Sequence, residues 1–262
     1  MAFLDHFSDA AALYASVRPQ YPVALFDYVA GIAPGHARAW DCATGNGQAA
    51  LGLATHFDAV EATDASAGQI AHALPAERVR YTVQPAERTD FPAAHFDAVC
   101  VAQALHWFDT AAFFDEAQRV LRPGGVLVVS GYNWFRVEPV FDAAFERAVL
   151  DSIRSNWPAQ NALVWNGYRD VRFPFPRVHA PELTLEVDWN FEQLLAFVHS
   201  WSGTRRRIAS HGRGFFDRAE TLLAPLWGKT GRARRVSMPL TVVACRVPSC
   251  RQDAEEAEEA DR

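Results

Sequence analysis

The chain has 262 residues, half of them hydrophobic and 21% charged, a composition that calls for a packed globular core and excludes a disordered or fibrous chain. Its formal net charge is −6, but Arg251–Arg262 alone holds six acids and two bases, which leaves 25 acids against 23 bases in the remainder. A body so close to neutral has no electrostatic footprint for nucleic acid, and residues 251–262 read as a solvated, disordered acidic tail.

In chain order, residues 5–17 carry a helical pattern, and Pro22 opens an amphipathic helix, "PVALFDYVAGI", closed by Gly31 and Pro34. Arg38–Cys42 reads as the first strand, followed by a glycine turn and a helix to about Phe57. Ala59–Thr63 is a short strand ending at Asp64, with Ser66 placed to cap the next helix, and Val79–Val83 is a third strand. The almost wholly apolar Phe96–Ala102 suits a central strand buried on both faces. Asp109 or Thr110 then caps a helix whose Phe113, Phe114, Ala117, Val120 and Leu121 share one face. Pro123-Gly124-Gly125 ends it, and "VLVVS" returns as a strand.

The second half changes character. Val140–Ile153 is helical, whereas Asn156–Pro181, with its prolines and with Trp157 and Trp165, reads as an irregular cover. Leu183–Asp188 alternates as a strand, Phe191–Trp201 is a helix, and Ser237–Arg246 is the closing strand. The expected fold class is α/β: a Rossmann-like, mostly parallel sheet with helices on both faces, an antiparallel last strand, and an inserted lid in the second half. Residues 1–250 form one domain in this reading, with the cap at about 133–181 plus the N-terminal helix 5–17. The four cysteines are scattered without metal-ligand spacing, so no metal is expected. Neither a signal-peptide pattern nor a bilayer-spanning apolar run is present, and a reduced, cytoplasmic setting away from membranes is the expectation.

The stretch Ala39–Ala50, "AWDCATGNGQAA", carries the chemistry. Gly45, Gly47 and Ala50 fit the phosphate-cradling spacing of dinucleotide-binding turns, but Asp41 puts a carboxylate beside that turn. At ~5 Å and an effective dielectric of ~20, a pyrophosphate would be repelled by about 3 kcal/mol. The sulfonium and ammonium of S-adenosylmethionine would instead be attracted. Asp64, 19 residues after Gly45 and at a strand end, is placed to accept hydrogen bonds from ribose hydroxyls.

With these residues placed, the chain resembles the class I S-adenosylmethionine-dependent methyltransferases, and within them the small-molecule branch that includes trans-aconitate methyltransferase-like proteins. The likeness is spread over residues 7–130 in "FSDAAALYASVRPQYP", "DCATGNGQ", "VEATDAS", "QPAERTDFP", "FDAVCVAQALHWFD" and "LRPGGVLVV", and further on in "SWSGTRRR". It implies Asp41, Thr44, Gly45, Asn46 and Gly47 around the methionine moiety, Asp64 on the ribose and Ala65 against the adenine. It implies Ala86 and Glu87 at the adenine edge, Gln103 and Ala104 near the sulfur, and Tyr14 and Arg18 closing the pocket.

In such a sheet the reacting methyl would face "QALHWF", where His106 is the one residue suited to neutral-pH proton transfer and Trp107 can wall the pocket. An acidic acceptor would need a cation, for which Arg205, beside Arg206 and Arg207 after the helix containing Trp201, and Arg18, after the N-terminal helix, are the candidates. The lid aromatics Trp134, Trp157 and Trp165 can shape an apolar acceptor pocket, and Trp201 is a separate candidate on the substrate side. The expected function is methyl transfer from S-adenosylmethionine, yielding S-adenosylhomocysteine, to a small molecule, at a carboxylate or hydroxyl oxygen. No nucleic acid, membrane or obligate protein partner is expected. A catalytically silent cofactor-binding domain and an NAD(P)-dependent oxidoreductase remain open at this point.

Overall fold

The computed structural model describes residues 19–249. The expectations for the helix 5–17, Tyr14, Arg18 and the tail 251–262 lie outside the described residues.

Five strands run parallel in the spatial order β3-β2-β1-β4-β5: β1 (Arg38–Cys42), β2 (Ala59–Asp64), β3 (Val79–Val83), β4 (Phe96–Ala102) and β5 (Leu121–Tyr132). The winding goes outward from β1 to β3, then resumes at β4 on the other side of β1. That reversal leaves a crevice at the carboxyl ends of β1 and β4, where ligands of open α/β sheets bind. β8 (Arg234–Arg246) lies antiparallel to β5, and β6 (Arg177–Val178) and β7 (Leu183–Trp189) both pair antiparallel with β8. The mostly parallel sheet with antiparallel last strands agrees with the sequence reading.

The two-residue period of the strands sorts their side chains into two cores. Ala39, Ala98, Cys100 and Val128 face the helices α1 (Val23–Ile32) and α2 (Gln48–Leu53). Trp40, Val99, Val101 and Leu127 face α4 (Thr110–Val120) through Phe113 and Ala117. Trp40 is fully buried and donates its indole N–H to Thr63 Oγ1 at 2.9 Å, so burial of its ring leaves no polar group unsatisfied. Ser66 accepts the Gln69 amide at the start of α3 (Ala67–Ala71), and Asp109 accepts the Ala112 amide at the start of α4, as the cap residues predict. α2 stops at Leu53, not near Phe57, because the amides of Thr55 and His56 turn to carbonyls three residues back. The Pro-Gly-Gly segment falls inside β5, as an irregularity between the pairs Phe96–Leu121 and Ala98–Val126.

The second half forms a helical layer. α5 (Pro139–Phe145) continues through a π turn at Glu146–Leu150 into α6 (Asp151–Ile153). The segment read as irregular contains α7 (Asn161–Trp165) and the two-residue β6. α8 (Phe191–Ser200) starts in a capping box of Asn190 and Gln193. The sequence pattern assigns nothing between Trp201 and Ser237, yet α9 (Ser202–His211) and α10 (Gly214–Trp227) occupy it. Pro225 and the charged run hide α10, although Phe215, Phe216, Ala219, Leu223 and Trp227 are its buried face. α10 packs on α5 and the π turn, and α9 packs on α6 and the turn that follows it. Among the described residues no helix is long and apolar enough to cross a membrane.

Candidate active site

The glycine turn between β1 and α2 stands between two carboxylates. Asp41, near the end of β1, is 1% exposed, and its Oδ2 accepts the Thr44 hydroxyl at 2.5 Å. Its Oδ1 has no hydrogen-bond partner among the described residues. Burial pushes the Asp41 carboxyl up to about 7, opposed in part by the Thr44 hydroxyl and the Ala50 amide and reinforced by the charge of Asp64. On the other side, Asp64 accepts the Gly45 amide on Oδ2 at 2.9 Å and the Ser66 amide on Oδ1 at 2.8 Å. Gly45 and Gly47 both take positive φ, at +59° and +92°. At Gly47 a Cβ would stand 2.3 Å from the Tyr81 hydroxyl, so the close approach as well as the backbone demands glycine.

Tyr81, on β3, escapes motif reading because nothing in the β3 sequence distinguishes it from a packing residue. Its ring covers Gly47, and its hydroxyl donates to the Leu74 carbonyl at 2.7 Å, while the Leu74 amide donates to the Asn46 carbonyl. The segment after α3 is thus strapped onto the turn from outside. Asn46 and Thr44 are both buried in that arrangement.

The remaining expected positions line the same sheet edge. Ala65 is half-buried between Asp64 and Ser66. Ala86 is buried, and Glu87 Oε1 accepts the Asp109 amide, tying the loop after β3 to the start of α4. Gln103 takes φ +58° at the end of β4, donates its amide to the Ser130 carbonyl, and exchanges two side-chain bonds with the Tyr132 backbone. Its side chain is therefore committed to β5. Ala104 is buried next to it, and the 3-10 turn Leu105–Trp107 follows. His106 is 4% exposed with its ring 4.7 Å from that of the half-buried Trp107.

Arg205, Arg206 and Arg207 follow the helix read over Phe191–Trp201, but a further helix carries them, so they do not sit at a helix C-terminus. α8 stops at Ser200, Trp201 is extended with ψ 138°, and the arginines lie in the first two turns of α9. The helix-end dipole that would have stabilised them at a C-terminus is absent there. Arg205 and Arg207 are half-buried, and the Arg207 guanidinium lies 5.9 Å from the centre of the Phe215 ring. Trp134, two residues beyond β5, and Trp201 meet with ring centres 5.9 Å apart.

A methyltransferase-domain family model matches residues 40–129. The chain is also similar to a solved structure from Anaeromyxobacter dehalogenans, provisionally named a type II methyltransferase, at 39% identity and a TM-score of 0.83, over 88% of this chain and 99% of that one. The chain belongs to the class I S-adenosylmethionine-dependent methyltransferases. The NAD(P)-dependent alternative falls with that assignment. A provisionally named methyltransferase of Dictyostelium discoideum is 28% identical over 205 residues, 77% of this chain and 78% of its own. The solved [4+2]-cyclase SpnF, 19% identical with a TM-score of 0.51 over 93% of this chain and 94% of that one, shares the fold alone. A cyclase on this fold shows that the fold by itself does not name a reaction.

The residues of this methyltransferase fit its family's cofactor. A buried carboxylate oxygen without a donor is costly, and a cationic ligand with N–H groups removes that cost. The two left-handed glycines leave room for a ligand to approach the backbone at the start of α2.

Proposed function

We propose that this methyltransferase binds S-adenosylmethionine between Asp41 and Asp64 and methylates an oxygen of a small molecule at the carboxyl edge of β4 and β5. The reading rests above all on the partnerless Asp41 Oδ1 beside the glycine turn. In it, Asp41, Thr44, Gly45, Asn46 and Gly47 surround the methionine end. Asp64, which anchors the Gly45 and Ser66 amides, takes the ribose hydroxyls. Ala65, Ala86 and Glu87 border the adenine, and Gln103 and Ala104 border the sulfur with their main chain. The cofactor supplies an activated methyl: the acceptor oxygen bonds the carbon, the carbon–sulfur electron pair stays with sulfur, and any acceptor proton goes to a base.

The chain's own contribution is alignment, exclusion of water and, for a hydroxyl acceptor, removal of that proton. His106 in the turn after β4 is the base in this reading, with Trp107 and Arg205 on the acceptor side and residues 133–181 covering it.

Calorimetric titration with S-adenosylhomocysteine tests the cofactor half, and no detectable heat from the folded protein would refute it. Asp64→Ala is expected to weaken that binding by about 1–3 kcal/mol, the scale of a lost hydrogen bond to a charged group. Unchanged affinity would remove Asp64 from the ribose. For a hydroxyl acceptor, His106→Ala is expected to lower kcat by about 10²- to 10⁴-fold, the range of general acid–base assistance. Its affinity for S-adenosylhomocysteine should stay within about twofold, less than 0.5 kcal/mol. Equal losses in both would make His106 a binding residue.

A further inference from the structure

Four of the eight tryptophans form one block. Trp134 lies 5.3 Å from Trp157, 5.8 Å from Trp165 and 5.9 Å from Trp201, and Trp157 lies 5.6 Å from Trp165 and 5.8 Å from Trp201, all between ring centres. They come from four separate places: the end of β5, the turn after α6, the end of α7 and the break between α8 and α9. All four are half-buried. The buried Trp40 and Trp227 donate their indole N–H groups to Thr63 and to the Arg232 carbonyl, but none of these four donates to a described residue. A core cluster would be buried and satisfied; this one keeps ring surface and donors available.

Its place in the fold gives it a use. Trp134 follows β5 at the carboxyl edge of the sheet, and α7, which ends in Trp165, packs on the 3-10 turn that carries His106 and Trp107. Two buried polar groups beside the block add an independent signal. Thr204, fully buried, has no partner for Oγ1 among the described residues; it follows Gly203, which stands so close that a Cβ there would come within 2.7 Å of the Trp157 ring. Asn161, 8% exposed, has no partner for Oδ1 and lies one helical turn before Trp165 on α7. Buried hydroxyls and amides left without partners point to a ligand that carries matching polar groups. Flat apolar faces with a few placed polar groups are the make-up of a small-molecule pocket.

We propose that the tryptophan block is the acceptor platform and that the acceptor is a hydroxylated aromatic ring, stacked on the indoles and hydrogen-bonded through Asn161 and Thr204. This rests on the reading of a small-molecule oxygen acceptor given above. An aromatic ring gains offset or edge-on contacts with indole faces that a flexible aliphatic polyacid does not. Its ring hydroxyl supplies both the partner for the buried polar groups and the oxygen to be methylated.

The test uses the full chain, with tryptophan fluorescence and ligand-observed saturation-transfer NMR as readouts that need no turnover. The probes are 4-hydroxybenzoate, benzoate and the aliphatic tri-acid tricarballylate. We expect 4-hydroxybenzoate to bind at least about tenfold more tightly than tricarballylate, a difference of about 1.4 kcal/mol. Trp134→Leu should remove that preference, and Thr204→Val should weaken 4-hydroxybenzoate more than benzoate. Tricarballylate binding as well as the aromatic acid in the wild-type chain would overturn the proposal without recourse to any variant. So would Trp134→Leu that folds and keeps the preference. S-adenosylhomocysteine calorimetry on the same preparation separates the outcomes, since loss of cofactor binding sinks the wider reading and leaves the probe preference standing or falling by itself.

Discussion

Asp41→Asn is expected to weaken S-adenosylmethionine binding by about 10- to 100-fold at pH 7.5, while making the ligand-free protein more stable at that pH. The first effect follows from removing a buried negative charge opposite a cationic ligand, at about 1.5–3 kcal/mol for a charge-assisted bond. The second follows from the carboxyl that burial pushes to about 7. Between the ordinary carboxylate value of 3.8 and about 7, the folded chain holds a proton on Asp41 that the unfolded chain has released. The stability associated with that proton is therefore fully present below about 4, declines as pH rises to about 7, and is gone above it. Asparagine carries no such titration, so its advantage should appear above pH 7 and amount to a few kcal/mol at most, on the order of what a shift of this size implies. Ligand affinity runs the other way. A cation prefers the ionised form, so wild-type affinity should rise about eightfold from pH 6 to pH 7.5 and the variant's should stay flat. Paired calorimetry and thermal melts across that window read both effects. A pH-independent wild-type affinity, or a variant less stable than wild type at pH 8, would show that Asp41 is not the buried charge the cofactor meets.

Gly47→Ala should cost both stability and cofactor binding. The position holds φ +92°, which a residue with a Cβ tolerates poorly, and the new atom would meet the Tyr81 ring and hydroxyl at 2.3–3.0 Å. Together these are worth about 2 kcal/mol or more of strain, or a fall in Tm of about 4–8 °C for a chain of this size. S-adenosylhomocysteine affinity should drop by at least about tenfold as the turn shifts. Tyr81→Ala in the same chain removes the clash and leaves the backbone strain, so the double variant should recover part of the melting temperature. Full recovery would assign the whole effect to Tyr81, and no loss in the single variant would mean that the turn has slack the structure does not show.

Tyr81 also marks where reading the chain in one dimension stops. Asp41, the two glycines and Asp64 are legible because each sits at a strand end followed by a turn, and a short loop allows few ways to place them. The site's outer support is not legible in that way. Tyr81, Leu74 and Asn46 meet through a carbonyl, an amide and a ring approach, and none of those needs a particular residue type beyond its neighbours. The position of Gln103 at the end of β4 is legible, but the closure of its side chain on the Tyr132 backbone, like one more rung of the ladder between β4 and β5, is not. The end of a helix at Trp201 is legible, but the helix after it, which carries Arg205, is not.

The sequence by itself determined the alternation of apolar strands and capped helices, and with it the parallel sheet, its two cores and the carboxylates that flank the glycine turn. These follow from local periodicity and from residues whose conformational demands act within a few positions. Only the tertiary structure decided the helical layer of the second half, the partnerless oxygen of Asp41 and the meeting of Trp134, Trp157, Trp165 and Trp201 from four distant segments. Burial and ring packing are set by which surfaces face each other after the chain has closed, and no period along the chain records that.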